Sequence, residues 1–432
     1  MINIKLYGKL ITDNRRLTSE RIAYKCKGVF KKDGLWTCVQ CGTNDTHDFY
    51  SYYSKCRDET ITYCRRCLFL GRMDNVNSVL ITTSAKQKST AQYQLKFPLT
   101  EQQLYAANKI VEAIKAQENL LLDAVTGAGK TEMIFKGIQY ARQHGLNVAV
   151  VSPRVDVVIE VSLRLVEAFE YEDIDIIYEG HPQQYNGHFV VATVQQLLRF
   201  KKHFDVVFID EVDAFPLAMD LILMKALTLA SCPKYSHIYM TATPPKQLLK
   251  TIPPHNQIKL PARYHRRLLP VPTFKYLKIY THKIHPTLVQ LLKQQIQNKR
   301  ITLVFVNNII DMKKLYQLYR SYIEDMTYVY SEDSERYEKI ADLRAGKYKV
   351  IFTTTILERG FTMAHLDVIV LESHLFLTSA LIQIAGRVGR KLYAFDGLVL
   401  FCHQGVSWSM IAARRKIKHM NHLAIKKGWV DA

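Results

Sequence analysis

The sequence predicts an α/β protein with two parallel-sheet domains that follow a smaller, cysteine-rich N-terminal domain. From about residue 119 onward, short apolar and β-branched runs alternate with helical stretches. Continuous apolar runs of this kind are typical of parallel strands that helices cover on both faces. Six of the eight cysteines lie before residue 70, where this alternation is missing, so that part of the chain is built differently.

The apolar runs fall into two groups, which predict two sheets. They are 120–122, 148–151, 189–192, 206–209 and 238–240, and then 301–306, 350–352, 368–371 and 398–401. The stretch 251–272 separates the groups and contains five prolines, and a high density of proline marks a boundary or linker. We therefore expect a cysteine-rich domain at 1–95 and α/β domains at 96–262 and 263–432.

The chain of 432 residues carries a formal net charge of +20, which favours a polyanionic partner. Nucleic acid is the commonest such partner; an anionic membrane surface and a basic surface without a partner are the alternatives. The apolar stretch 218–230 is interrupted by Asp220 and Lys225, so it predicts a buried or interface helix and not a membrane span. The N-terminal residues lack an apolar region with a cleavage site, so we expect a cytoplasmic protein.

A glycine-containing loop follows the run 120–122 and precedes a helical stretch at 132–142, which is the context of a phosphate-binding loop. Its glycines allow a tight turn that aims backbone amides at phosphates. We expect Lys130 to reach the β- and γ-phosphates of ATP and the Thr131 hydroxyl to bind Mg²⁺. Alanine stands where the general pattern begins with glycine. The predicted loop comprises Ala124, Val125, Thr126, Gly127, Ala128, Gly129, Lys130 and Thr131.

A cluster of carboxylates follows the run 206–209. Asp210 at a strand end can hold the same Mg²⁺, and Glu211 can orient and deprotonate the attacking water. Acid clusters also cap helices or face solvent, but the phosphate loop upstream favours catalysis. Asp213 completes the Asp-Glu-Val-Asp sequence.

The second α/β domain contains Gln-Ile-Ala-Gly-Arg-Val-Gly-Arg at 383–390. Arg387 and Arg390 are three residues apart, and we expect them on one helix face, where guanidinium groups can stabilise a transferring γ-phosphate. A basic surface at a helix start is the alternative, and this segment alone does not decide between them.

The order of these motifs resembles that of the superfamily 2 helicases over about 97–400, which implies two RecA-like domains. The resemblance also implies that ATP binds between the two domains and that Arg387 and Arg390 reach across from one domain to the ATP as arginine fingers. Closure and reopening of the domains would then move a nucleic-acid strand. Gln103 resembles the adenine reader. The resemblance implies further roles in binding ATP (Gly360), in coupling hydrolysis to strand grip (Asp213, Thr241, Thr243, Gln383) and in contacting nucleic acid (Arg154, Thr193, Asn307, Thr354). The Asp-Glu-Val-Asp box and the glutamine that opens the last motif are closer to DNA-acting members than to the Asp-Glu-Ala-Asp RNA helicases.

Two Cys-x-x-Cys pairs, Cys38 with Cys41 and Cys64 with Cys67, predict a tetrahedral Zn²⁺ site. Their separation slightly exceeds the usual range, and buried or free thiols are the alternative. Cys26 and Cys56 are spare cysteines that can replace a ligand or belong to a second site. A site closed by four thiolates supports folding and not catalysis.

Aromatic and arginine side chains surround the cysteine pairs. They are Tyr50, Tyr52, Tyr53, Tyr63, Arg57, Arg65 and Arg66. Interleaved aromatics and arginines suit single-strand stacking and phosphate contact. A small core with solvated charges is the alternative, and the sequence leaves both open.

A four-cysteine domain ahead of this motor resembles the ComFA family of late-competence DNA-uptake helicases of Gram-positive bacteria, as do the segments 210–216 and 358–360. The resemblance implies a protein at the inner face of the membrane that acts on incoming single-stranded DNA. It also implies as partners a phosphoribosyltransferase-like ComF protein, a DNA-processing protein and the uptake channel, and it leaves a homo-oligomer open.

Two other functions compete with DNA uptake. A PriA-like replication-restart helicase also binds zinc through cysteines, but that family carries them inside the helicase region. A nucleotide-gated DNA-binding scaffold would hydrolyse ATP poorly, and the presence of Lys130, Glu211 and Arg390 argues against it.

Overall fold

The structure is a computed structural model that describes residues 7–11, 22–358 and 362–431. The chain forms two compact units, and each contains a parallel sheet. The first unit ends at Ile258 and the second begins at Lys259, with the short segment Ala124–Gly129 grouped with the second.

The N-terminal part of the first unit consists of short antiparallel strands. They are β1 (Leu10–Ile11), β2 (Ile22–Lys27), β3 (Val29–Lys32), β4 (Leu35–Cys38), β5 (Phe49–Ser54), β6 (Glu59–Cys64) and β7 (Ser78–Thr82). Strands β1, β7 and β2 form one sheet, while β3–β4 and β5–β6 are separate pairs. Asp33 and Gly34 connect β3 to β4 with φ of 49° and 80°, the left-handed conformation that an Asp-Gly hairpin turn requires.

The rest of the first unit is built on a seven-stranded sheet. Its strands are β8 (Leu120–Ala124), β9 (Val148–Ser152), β10 (Ile174–Ile177), β11 (Phe189–Thr193), β12 (Phe204–Asp210), β13 (Ser231–Thr241) and β14 (Gln257–Leu260). The strand order is β10-β11-β9-β12-β13-β8-β14, and every pairing from β10 to β8 is parallel. The helices are α1 (Glu101–Ala116), α2 (Lys130–Gln143), α3 (Val155–Ala168), α4 (Leu221–Ala230) and α5 (Lys246–Thr251).

The second unit repeats this plan with six strands in the order β15-β20-β19-β16-β18-β17, all parallel. They are β15 (Thr273–Tyr276), β16 (Ile301–Phe305), β17 (Met326–Val329), β18 (Val350–Thr353), β19 (Leu366–Val370) and β20 (Val399–His403). The helices are α6 (Pro286–Gln297), α7 (Ile309–Tyr319), α8 (Arg336–Arg344), α9 (Thr378–Ala385) and α10 (Trp408–Lys426). The predicted fold class is thereby confirmed: the apolar runs are the central, fully buried strands of two parallel sheets.

The prediction of a buried or interface helix over 218–230 is wrong for its first three residues. Helix α4 begins at Leu221 because the Asp220 side chain accepts a hydrogen bond from the backbone N–H of Ile222 at 2.9 Å and caps the helix. Met219 and Leu221 are 81% and 71% exposed. The buried face of α4 contains Leu223 and Leu227, which belong to the same apolar core as the four paired cysteines.

Candidate nucleotide site and cysteine cluster

The phosphate-loop candidate lies between β8, which ends at Ala124, and α2, which begins at Lys130. Gly127 and Gly129 have φ of 82° and 76°, a conformation that side chains disfavour, so the turn depends on both glycines. The helix begins two residues before its predicted start, which places Lys130 and Thr131 in its first turn. The positive end of the helix dipole and the free N–H groups of that turn suit an anionic phosphate.

The phosphate-loop lysine contacts the first carboxylate of the Asp-Glu-Val-Asp box. Lys130 Nζ lies 3.1 Å from Asp210 Oδ1, and both side chains are largely buried. Asp210 is the last residue of β12, and its Oδ1 also accepts a hydrogen bond from the Glu211 N–H at 2.9 Å. The hydroxyl of Thr131 and the carboxylate of Asp210 are hard oxygen donors of the type that Mg²⁺ prefers.

The last residue of the box is bonded to the neighbouring strand end. The Thr241 and Thr243 hydroxyls donate short hydrogen bonds to the two carboxylate oxygens of Asp213. Thr241 Oγ1 also accepts a hydrogen bond from the Thr243 N–H at 2.9 Å. Since β12 and β13 are adjacent parallel strands, Asp213 fastens together the two segments that leave their carboxyl ends.

The structure gives Gln103 a role at the start of a helix. Its side-chain oxygen accepts a hydrogen bond from the Thr100 N–H at 2.9 Å, and Thr100 Oγ1 accepts one from the Gln103 N–H at 3.3 Å. This reciprocal pair is a capping box at the start of α1. Arg154 precedes α3 and pairs with Asp156 at 3.1 Å, and Thr193 is the buried last residue of β11.

In the second unit, Asn307 and Thr354 follow the carboxyl ends of the adjacent parallel strands β16 and β18. Asn307 is exposed and Thr354 is half-buried. Gln383 is a buried residue of α9, while Gly360 lies outside the described residues. The structure thus places Asn307 and Thr354 on one edge of the sheet.

The expectation that Arg387 and Arg390 share a helix face is wrong. Helix α9 ends at Ala385; Arg387 lies in the turn 386–389, which contains Gly389 at a left-handed φ of 67°, and Arg390 directly follows this turn. Arg387 is buried, and its guanidinium donates to the Glu358 carbonyl, with Nε at 2.8 Å. Arg390 is half-buried, and its Nε donates to the Gly386 carbonyl at 2.8 Å.

A third arginine, Arg263, holds this turn, and sequence reasoning missed it. Its guanidinium donates to the carbonyls of Val388 at 2.8 Å, Gly389 at 2.5 Å and Gly386 at 3.2 Å. His265 Nε2 donates to the Gly389 carbonyl at 2.9 Å. Arg263 is completely buried, which lowers its pKa to about 9, so it stays charged at neutral pH. Arg263 lies in a proline-rich stretch and belongs to no motif, so no sequence signal points to it.

The two Cys-x-x-Cys pairs meet in one buried cluster in which the four sulfur atoms lie within 4.8 Å of one another. The Cys38–Cys67 and Cys41–Cys64 sulfur distances are 3.6 and 3.7 Å, and Cys64 and Cys67 are 3.7 Å apart. Tetrahedral zinc with Zn–S bonds of about 2.3 Å requires sulfurs about 3.8 Å apart, so the cluster fits zinc. Cys26 and Cys56, half-buried and exposed, lie outside it.

A buried lysine from the α/β part of the first unit adjoins the cluster. Lys201 Nζ donates to the Gln40 carbonyl, between the first two cysteines, at 2.8 Å. Burial lowers the lysine pKa to about 8, opposed by the nearby cysteine sulfurs. With Zn²⁺ bound, four thiolates would carry a net charge of −2, which the Lys201 ammonium would partly offset. Sequence reasoning missed this residue because it lies far from the cysteines along the chain.

Comparison with known proteins agrees with these features. Three family models match the chain: the competence protein ComFA N-terminal domain at 11–81, the type III restriction enzyme res subunit at 96–246 and the helicase conserved C-terminal domain at 284–391. The chain is 36% identical to competence protein ComFA of Bacillus subtilis (strain 168) over 92% of this chain and 88% of that one. The chain belongs to the ComFA family. It is 30% identical to ComFA of Streptococcus pneumoniae (strain ATCC BAA-255 / R6) over 97% and 98% of the two chains.

ComFA-family membership and the helicase domains make the protein a helicase-type, ATP-dependent nucleic-acid motor of competence, as the motif order predicts. The structure resembles S. cerevisiae Dbp5 bound to RNA and ADP BeF3, with 16% identity, a TM-score of 0.54 and coverage of 74% of this chain and 91% of that one. At this identity the likeness shows the fold, which is that of two RecA-like domains. Among the described helices, none has the length and apolar composition needed to cross a membrane.

Proposed function

We propose that this ComFA-family protein hydrolyses ATP to move along single-stranded DNA during DNA uptake. The observation that carries the proposal is the chain of contacts at the carboxyl edge of the first sheet. Lys130 pairs with Asp210 at 3.1 Å, and Asp213 of the same box holds Thr241 and Thr243. These contacts support a link between the residues proposed to hydrolyse ATP and those proposed to couple hydrolysis to strand grip.

Each proposed role at the nucleotide follows from side-chain chemistry. The loop 124–129 and the first turn of α2 offer backbone N–H groups to the phosphates, and Lys130 exchanges Asp210 for the β- and γ-phosphates. Mg²⁺, held by Thr131 and Asp210, neutralises phosphate charge when bound. Glu211 orients the attacking water and accepts its proton.

We propose further roles for residues elsewhere in the chain. Gln103 reads the adenine, and Arg387 and Arg390 stabilise the charge that develops on the γ-phosphate. Gly360 completes the nucleotide site and Gln383 takes part in coupling. The proposed nucleic-acid contacts are Arg154, Thr193, Asn307 and Thr354.

We propose three functional parts: a zinc-binding domain at 1–95, an ATP-binding domain at 96–262 and a C-terminal helicase domain at 263–432. The spacing of the Cys38, Cys41, Cys64 and Cys67 sulfurs supports structural zinc. A ComF protein, a DNA-processing protein and an uptake channel at the inner face of the membrane are the proposed partners. The charge of +20 supports a polyanionic ligand.

The test is the rate of ATP hydrolysis by the full-length protein with single-stranded DNA, duplex DNA or RNA. The salt concentration is held constant, because phosphate-backbone binding depends strongly on salt. We expect single-stranded DNA to stimulate hydrolysis most. Lys130→Ala, which removes the phosphate contact, should abolish turnover and thereby exclude a contaminating ATPase. Equal stimulation by RNA, or a full rate without nucleic acid, would contradict the DNA assignment.

A further inference from the structure

The β5–β6 hairpin presents three tyrosines on one of its faces. Tyr50 pairs with Tyr63 across the strands, and Tyr52 follows two residues after Tyr50, so alternation points all three side chains the same way. The ring centroids are 5.7 Å apart for Tyr50 and Tyr63, and 6.4 Å apart for each of the other two pairs. We call Tyr50, Tyr52 and Tyr63, with the adjacent Arg72, the tyrosine face.

The tyrosine face is not part of a core. Tyr50 is 51% exposed and Tyr52 is 36% exposed, and only Tyr63 is half-buried. The sequence left open whether these aromatics form a small core or a stacking surface, and the exposure excludes the core. Exposed aromatic side chains grouped on one surface mark an interaction site more often than isolated ones do.

Arg72 supplies a fixed positive charge at the edge of this surface. Its guanidinium carbon lies 5.6 Å from the Tyr52 ring centroid and 4.7 Å from that of Tyr63. Nη2 donates to the Tyr52 hydroxyl at 2.9 Å, and Nε lies 3.0 Å from the Asp74 carboxylate. The Arg72 side chain is 42% exposed while Asp74 is buried, so the cation reaches solvent and the carboxylate does not.

We infer that the tyrosine face binds single-stranded nucleic acid by stacking bases on Tyr50 and Tyr52 and placing a backbone phosphate at Arg72. The inference deepens the proposed function and rests on it, since it assigns a DNA contact to the zinc-binding domain. Aromatic rings on a strand surface stack bases of any sequence, and arginine adds a phosphate contact. The bases of a duplex are already stacked on each other, so a single strand is the form that fits.

The exposed cations around the hairpin favour a polyanionic occupant over a protein partner. Lys55 and Arg65 are exposed at the two ends of the hairpin. The nearby acids are engaged within the protein: Asp58 accepts a short hydrogen bond from the Tyr53 hydroxyl, and Glu59 lies 4.0 Å from Arg57. An occupant of the tyrosine face therefore meets Arg72 and the aromatic rings, with the half-exposed Glu59 at the turn end of the same face.

The cysteine cluster holds the tyrosine face in shape. Cys64 directly follows Tyr63 at the end of β6, and its N–H donates to the Met73 carbonyl at 3.0 Å, which fixes the segment that carries Arg72. A zinc site at Cys64 would thus rigidify the surface on which bases stack.

The test measures binding of a fluorescent oligothymidylate by the full-length, zinc-loaded protein without nucleotide. Alanine substitution of a stacking aromatic weakens binding by about 1–3 kcal/mol per base, so we expect Tyr50→Ala with Tyr52→Ala to bind at least about tenfold more weakly. Tyr53→Ala is the matched control, because Tyr53 is 58% exposed on the opposite face of the same hairpin. Tyr50→Phe, which keeps the ring, should bind like the unsubstituted protein. Zinc content verifies the fold, and Tyr50→Ala alone replaces the double variant if that variant loses zinc.

An abasic oligonucleotide of the same length separates stacking from charge. We expect it to bind the unsubstituted protein and the double variant equally, because it offers phosphates and no bases. Oligothymidylate binding that is equal in the double variant and Tyr53→Ala would overturn the inference, leave the proposed function standing and assign the face to a protein. If the unsubstituted protein fails to bind oligothymidylate at all, the proposed function itself is wrong.

Discussion

Substituting Arg263 by lysine tests whether the turn that carries Arg387 and Arg390 depends on a buried arginine. The guanidinium makes three hydrogen bonds to the carbonyls of that turn. A lysine keeps the charge, but its donors lie on a single nitrogen, whereas the Arg263 guanidinium bonds the three carbonyls through two nitrogens, so at least one of these bonds is lost. With about 1.5–3 kcal/mol for each hydrogen bond to a charged group, the loss of one bond removes roughly 1.5–3 kcal/mol from the turn, and the loss of a second doubles that.

The expected result is a loss of turnover with nearly unchanged ATP affinity. Misplacing a catalytic group by about 1 Å can cost roughly 100-fold in rate, so we expect kcat for ATP to fall by about that factor in Arg263→Lys. The assay is steady-state ATP hydrolysis with saturating single-stranded DNA, with thermal unfolding as a check of the fold. Arg266→Lys is the matched control: Arg266 pairs with Asp431 at 2.7 Å on the surface, where such a pair contributes about 0–1 kcal/mol. An unchanged kcat, or a raised KM with kcat intact, would refute the positioning role.

Three further predictions follow from other parts of the structure. Cys38→Ser should reduce bound zinc well below one ion per chain by metal analysis, whereas Cys56→Ser, outside the cluster, should not. Thr241→Val removes the hydroxyl that donates to the Asp213 carboxylate. We therefore expect DNA-stimulated ATP turnover to fall roughly tenfold or more while basal turnover falls less. Equal falls in the two rates would contradict a role in coupling. Burial lowers the pKa of His203 and of His237 to about 3, so the native state binds fewer protons than the unfolded state below the ordinary value of about 6.5. The unfolding free energy should therefore drop, by roughly 1.4 kcal/mol per pH unit for each histidine, as pH falls from about 6.5 toward 5, and urea titrations showing a flat profile would contradict this.

The features that the sequence predicts correctly depend on residues that are close together along the chain. The run 206–209 predicts β12 because a strand buried on both faces has to be apolar at every position. The loop at 124–131 can be recognised from the sequence because glycines at fixed spacing adopt the left-handed φ that the turn needs. The two Cys-x-x-Cys pairs are also recognisable from the sequence, because each pair brings two thiols together within one turn.

The parts that it missed depend on partners distant along the chain. Arg263 and Lys201 belong to no motif, and only the fold places Arg263 against the 386–389 turn and Lys201 against Gln40. The sequence predicts a shared helix face for Arg387 and Arg390 because their three-residue spacing fits helical periodicity. The periodicity stops at Ala385, where glycines permit a turn.

Because the cysteine cluster shares a core with the rest of the first unit, we expect zinc binding to affect ATP turnover as well as the N-terminal region. The four cysteines pack in one apolar core with Leu223 and Leu227 of α4, and Arg66 pairs with Asp220 at the start of that helix at 3.1 Å. Zinc binding to structural sites is worth about 10–16 kcal/mol, as large as the roughly 5–15 kcal/mol that stabilises a typical domain. Removing zinc with a chelator should therefore unfold the first unit as a whole, and ATP turnover without DNA should decline in parallel with zinc content. Basal turnover that survives complete zinc loss would mean that the cysteine cluster and the nucleotide site unfold independently despite their common core.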